Sequence, residues 1–166
     1  DRTGQLWEGE WAKPIVPLIG ASIPSYDGLP QETFGKVEFG GQSYDWGVWG
    51  DQLAPQAGTR ALATYTDQHY AGAAAVTQRS HGRGSVTYCG VYGEEPLVEA
   101  VARTVIEQAG LPISQIPSRT QLLSRGRYRI FLNYRDNSVE APAPVGAKFV
   151  VGQRTVGPAD VAVWEQ

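Results

Sequence analysis

The chain has no methionine, one cysteine, two histidines and no apolar run long enough to cross a bilayer, and each shortage excludes something. A single thiol, Cys89, cannot close a disulfide within one chain or supply an all-thiolate metal site. Its place among strand residues predicts a buried thiol. A membrane span needs about 18 to 20 consecutive apolar residues, so no membrane partner is expected. Residues Asp1 to Gly20 lack the charged head and apolar centre of a secretory signal. The compartment stays open, with the cytoplasm the expectation for a parent protein. A net charge of -3 argues against a nucleic-acid partner, whose phosphates need clustered cations. The basic run Arg125-Gly126-Arg127-Tyr128-Arg129 reads as the solvated face of one strand. A (β/α)8 barrel takes about 250 residues, and this chain has 166. With aspartate at position 1 and no methionine, the sequence reads as part of a longer polypeptide.

What is present is globular: 42% of residues are hydrophobic and 19% charged. The prolines between Asp1 and Pro30 leave no room for a long helix and predict an irregular arm with one helical turn near Pro14 to Ile19. From Phe34 to Leu53, apolar alternation around Gly40-Gly41 predicts a hairpin, with Trp46 and Val48 on one strand side facing a core. Further strands are expected at Ala61 to Thr66, Ala74 to Arg79 and Ser85 to Val91, separated by breaks at Tyr70-Ala71-Gly72 and His81-Gly82-Arg83-Gly84. Between Glu94 and Ala109, Leu97, Val98, Val101, Ala102, Val105, Ile106 and Ala109 recur at helical spacing, and Gly110 with Pro112 stops the helix. The prolines of Leu111 to Pro117 mark a boundary between residues 1–112 and 113–166. Beyond it the chain reads as strands: Thr120 to Ser124, Arg127 to Tyr134, Val139 to Ala141, Lys148 to Val151 and Asp160 to Trp164. About 50 residues is small for an independent core, so this tail is expected to lean on the upstream domain or on another part of the parent.

The central string carries a family likeness. Tyr65, Asp67, Tyr70, Ala71, Gly72, Ala75, Val76 and Thr77, followed by Gly82, Gly84, Tyr88 and Gly90, resemble the closing part of the β-galactosidase trimerisation domain of glycoside hydrolase family 42. Weaker likeness runs through Pro17-Leu18-Ile19-Gly20, Trp49-Gly50-Asp51-Gln52-Leu53 and Val161-Ala162-Val163-Trp164-Glu165. The resemblance implies a catalytic barrel elsewhere in the parent, then an α/β domain similar to class I glutamine amidotransferases, then a small C-terminal β domain. This chain would begin partway through the second. The expected fold is therefore α+β and β-rich: a partial amidotransferase-like domain with one main helix packed on strands, then a small antiparallel β domain. The implied partners are the rest of the parent chain and other copies of it in a trimer. The parent would hydrolyse terminal β-galactosides with retention, through barrel glutamates that no position here matches.

Within the chain, no catalytic residue, cofactor or metal site is expected. Glycoside hydrolysis uses two carboxylates flanking the bond, whereas Glu94 and Glu95 suit the positive end of a helix dipole and Asp45 and Asp51 flank turns of an aromatic strand region. Asp67, His69, Ser80 and His81 supply the ingredients of a triad without the turn that would expose a nucleophile. Gly82-x-Gly84 precedes a strand, so it reads as a hairpin turn and not a phosphate loop. The rival reading is a carbohydrate-binding module, since aromatic rings stack on sugars and Trp7, Trp11, Trp46, Trp49 and Trp164 could supply a platform. Trp7 and Trp11, on the irregular arm, are the candidates for an interface or a sugar contact.

Overall fold

The computed structural model describes residue 9, residues 11–113 and residues 115–166. Trp7 lies outside the described residues. The described chain is mostly β and divides into two units, Asp1–Pro112 and Ile113–Gln166.

Unit 1 opens with the short helix α1 (Val16–Ile19), then β1 (Ala21–Asp27), β2 (Gly35–Phe39), β3 (Gln42–Pro55), β4 (Thr59–Tyr65), β5 (Ala74–His81), β6 (Gly84–Cys89), β7 (Val91–Gly93) and the helix α2 (Glu95–Gln108). The hairpin expected at Gly40-Gly41 is present: Phe39 pairs with Gln42 and both glycines take positive φ, at 61° and 78°. That is the combination a two-residue turn between twisted strands demands. β3 is the hub. Its first half pairs with β2, its second half with β1, and it also reaches β5 at Leu53↔Ala74 and β7 at Trp46↔Gly93 and Gly50↔Val91, every pair antiparallel. Because β2 continues to β4 and β4 to β5, the circuit β3-β2-β4-β5 closes on itself. Val37, Trp46, Tyr65, Val76 and Leu97 are buried in the core it shares with α2.

Trp46 and Val48 do not share a face. Trp46 is fully buried, whereas Val48 is 57% exposed with φ at 64°. Between the two pairs with β7, β3 advances from Trp46 to Gly50 while β7 advances only from Gly93 to Val91. The extra residues form a bulge that breaks the alternation and turns Val48 outward. Gly50 then passes directly over the indole, where a side chain's Cβ would lie 2.8 Å from Trp46 Cζ3 and 2.6 Å from Tyr65 Oη.

α2 ends as its sequence predicts, with the Leu111 amide bonding the Ile106 carbonyl at 3.2 Å and the Gly110 amide bonding that of Glu107 at 2.9 Å. Arg103 and Glu99 pair one turn apart. Yet of its seven apolar positions only Leu97 and Val101 are buried. Val98 is 51% exposed, and Ala102, Ile106 and Ala109 are exposed too. Neither described helix is long and apolar enough to cross a membrane.

Unit 2 contains β8 (Thr120–Arg125), β9 (Tyr128–Asn133), β10 (Val139–Glu140), β11 (Phe149–Val151), β12 (Thr155–Val156) and β13 (Asp160–Glu165). Four of these form a sheet in the order β11-β13-β9-β8, and β10 pairs with β12. Phe131, Val156, Ala162 and Trp164 fill its core. Buried Asn133 ties the pieces: its Nδ2 donates to the carbonyls of Asn137 at 2.9 Å and Gly157 at 2.7 Å, and its Oδ1 accepts from the Arg135 amide at 3.0 Å. The basic run from Arg125 to Arg129 does not occupy one strand. Arg125 pairs with Tyr128 across a two-residue turn at Gly126-Arg127, so the run wraps a hairpin.

Candidate functional site

The richest constellation surrounds Asp51. Strand alternation puts Trp49 and Asp51 on the same side of β3, away from the Trp46 core, and Tyr26 of β1 is the cross-strand partner of Asp51. Asp51 is only 5% exposed. Its Oδ1 accepts from Trp49 Nε1 at 2.9 Å and its Oδ2 from Tyr88 Oη of β6 at 2.7 Å. Its carbonyl accepts from Tyr65 Oη at 2.9 Å, and its amide donates to the Gly90 carbonyl at 2.7 Å. Tyr65, Tyr88 and Gly90, three of the residues that carry the family likeness, therefore meet at one aspartate. Burial, then the bond to Asp51, pushes the Tyr88 hydroxyl well above its ordinary pKa. Tyr65 is raised further, by burial first and then by Tyr70 and Asp51. Asp51, expected to flank a turn, thus lies buried within β3.

Over this floor lies a cleft of about 630 Å³, lined on its open sides by Trp11, Pro14, Ile15, Trp49 and Tyr92. Trp49 stacks on Tyr26 with ring centres 4.5 Å apart, and Trp11 lies 6.0 Å from Tyr26. Tyr92 is 65% exposed. Of the five tryptophans, Trp46 and Trp164 are core residues, while Trp11 and Trp49 share this cleft.

Cys89 borders the same cleft and is not buried: it ends β6 with an accessible edge. Its Sγ lies 3.4 Å from the Val91 carbonyl, and neighbouring atoms desolvate the sulfur enough to raise the thiol pKa. The other sequence candidates stay apart. Asp67 accepts from the Lys36 amide at 3.0 Å, and His69 packs edge-on against Tyr70. Ser80 and His81 lie at the far end of β5, roughly 20 Å away at about 3.3 Å per strand residue. Asp45 lies within β3 and pairs with Lys36, while Glu94 occupies the N-cap position of α2 without a side-chain capping bond and Glu95 starts the helix. Among the described residues the cleft lining includes one carboxylate, Asp51, where acid-base or nucleophilic cleavage of a glycoside uses two.

Sequence reasoning singled out Trp11 and named Trp49 among the possible platform rings, but missed Tyr26, Tyr88 and Tyr92. The signal was available in Trp49-Gly50-Asp51, whose spacing puts an aromatic ring and a carboxylate on one strand face. What the spacing could not reveal was that β1 and β6 bring Tyr26 and Tyr88 to that face.

Comparison with known proteins places these features in a family. Residues 1–112 match the model described as the β-galactosidase trimerisation domain, and residues 121–166 match the β-galactosidase C-terminal domain. The chain is 28% identical over 164 residues to β-galactosidase BgaH of Haloferax lucentense, covering 98% of this chain and 25% of that protein. It is 28% identical over 153 residues to a β-galactosidase of Thermus thermophilus, covering 92% of this chain and 22% of that one. Among solved structures, the polyextremophilic β-galactosidase from Halorubrum lacusprofundi superposes with a TM-score of 0.86 at 25% identity, over 100% of this chain and 25% of that one. The chain thus spans about a quarter of the length of the relatives it matches.

Proposed function

The chain belongs to the β-galactosidase trimerisation domain family through residues 1–112, and on that premise we propose that it is a non-catalytic assembly and support region of a larger family 42 glycoside hydrolase. Residues 1–112 hold subunits together and residues 113–166 form the accompanying small β domain. The parent hydrolyses terminal β-galactosides through a barrel whose glutamates are not among these residues.

One observation supports the assembly role beyond the family match. α2 carries apolar residues around more of its circumference than its own sheet covers, leaving Val98, Ala102 and Ile106 facing outward. An uncovered apolar stripe on a regular helix marks a contact surface. A second copy of the parent chain is the occupant that the trimerisation family implies.

The test is made in the parent enzyme. Replacing Val98 and Ile106 together with Asp is expected to lower the subunit mass measured by light scattering. The same pair placed in the 166-residue chain should leave its circular dichroism unchanged, because both side chains are exposed. An unaltered oligomer would refute the assignment of this face. Incubation of the chain alone with a chromogenic galactoside is expected to give no turnover, and turnover abolished by mutating a resident acid would refute the non-catalytic role.

A further inference from the structure

The cleft over Asp51 combines features that an assembly surface does not require. Its walls are the rings of Trp11, Trp49 and Tyr92, and its floor is a carboxylate held from both sides. A carboxylate offers about four acceptor positions. Trp49 uses one on Oδ1 and Tyr88 one on Oδ2, so each oxygen keeps acceptor capacity beyond these side-chain bonds. The floor and one wall are also pre-set. The Trp49 indole is fixed through Nε1 by Asp51 and across one face by Tyr26, so little ordering is left for a ligand to impose. The volume of about 630 Å³ is in the range of small-ligand sites.

Ligand classes separate on this chemistry. A purely apolar guest would strand the remaining acceptor directions of a buried carboxylate. Phosphates and other anions would meet that carboxylate with no basic side chain among the described lining residues to offset it. A quaternary ammonium group could use the ring faces of Trp11 and Tyr92 but itself carries no O–H or N–H to donate to the remaining acceptor capacity of Asp51. A sugar ring has what remains: an apolar C–H face for one aromatic wall and a rim of adjacent hydroxyls able to donate to both oxygens of Asp51.

We propose that the cleft formed by the 11–15 turn, β3, β6 and β7 is a binding site for the pyranose ring of a glycoside, with Trp11 and Tyr92 as ring contacts and Asp51 as the hydroxyl acceptor. With one carboxylate among the described lining residues, the role proposed for the site is to hold the sugar. It borders the α2 stripe, because Cys89, Val91 and Tyr92 also line a second hollow with Val98 and Ala102, and only the choice of galactosides as probes rests on the function proposed above.

The experiment is titration of the 166-residue chain with methyl β-galactoside and with lactose, read by tryptophan fluorescence and by calorimetry. Saturation in the millimolar range or below is expected. Trp11→Ala, an exposed position, is expected to weaken binding about tenfold with unchanged circular dichroism, and Tyr92→Ala is expected to weaken it in the same direction. A flat response across the millimolar range overturns the proposal, as does binding that survives both substitutions. Saturation by choline or arginine amide without saturation by either sugar also overturns it and identifies a cation site instead. None of these outcomes alters the subunit mass that tests the assembly role.

Discussion

Replacing Val48 with Gly should stabilise the protein, although it removes a hydrophobic side chain. Val48 sits on the β3 bulge with φ at 64° and 57% of its surface exposed. An L-residue in the left-handed region costs about 1–2 kcal/mol, and a β-branched one is a marked outlier there. Glycine relieves that strain but enlarges the freedom of the unfolded chain, which costs about 0.4–1 kcal/mol. Little packing is forfeited, and the Val48 carbonyl still accepts from the Leu29 amide at 3.1 Å. The net expectation is a gain of about 1 kcal/mol. With urea slopes of about 1–3 kcal/mol per molar, that moves the unfolding midpoint by about 0.5 M at constant slope. In a domain near 100 residues it raises Tm by about 4–8 °C. Urea titration followed by circular dichroism and tryptophan fluorescence supplies the measurement, with Val48→Asn and Val48→Ala as companions. The expected order of stability is Gly, then Asn, then Ala and Val together, because alanine keeps the Cβ that clashes. If Ala matched Gly, or if Gly lowered the midpoint, backbone strain would not be what the bulge stores at this residue.

Three further outcomes follow from the cores. Tyr65 is held protonated by the fold, so its contribution is complete below the ordinary tyrosine pKa of about 10 and is lost as pH rises above it, by about 1.4 kcal/mol per pH unit. Tyr65→Phe should cost about 1 kcal/mol at pH 8 for the lost bond to Asp51, yet decline less steeply between pH 10 and 12; parallel stability profiles would contradict the assignment. Gly50→Ala drives a methyl toward Trp46 and Tyr65 and should cost about 1–3 kcal/mol in urea unfolding, so a neutral result would mean that the indole is free to shift. In unit 2, Asn133→Ala strands the carbonyls it serves and should cost about 1–3 kcal/mol when unfolding is followed through buried Trp164; an unchanged midpoint would show that water replaces the amide.

Features set by local rules were readable from the residues. Gly40-Gly41 predicted its hairpin because adjacent glycines supply the two positive φ angles that a tight turn between strands needs, and Gly110 predicted the end of α2 for a related reason. The strands of unit 2 were found to within a residue or two except β12, whose two residues are too few to carry a period. What escaped was decided by partners distant in sequence. Alternation put Val48 beside Trp46 because nothing local announces a bulge that exists only opposite β7. Asp51 reads as a residue flanking a turn of an aromatic strand region, and its burial is recognisable only once Tyr88 and Trp49 are known to reach it. The α2 stripe was legible as apolar, but its pattern could not tell which half meets the sheet. Cys89 read as buried from its strand neighbours, and the strand's end at the cleft exposed it.

The reach of β3 also constrains the order in which unit 1 can be made. This one strand borders partners that precede it and partners that arrive only at Ala74 and at Val91–Gly93. During synthesis its backbone amides and carbonyls must therefore stay without their last neighbours until β7 has left the ribosome. A nascent chain halted before Gly93 presents an unfinished ribbon to its surroundings, and a chaperone or a neighbouring copy can claim that ribbon before the native strand does.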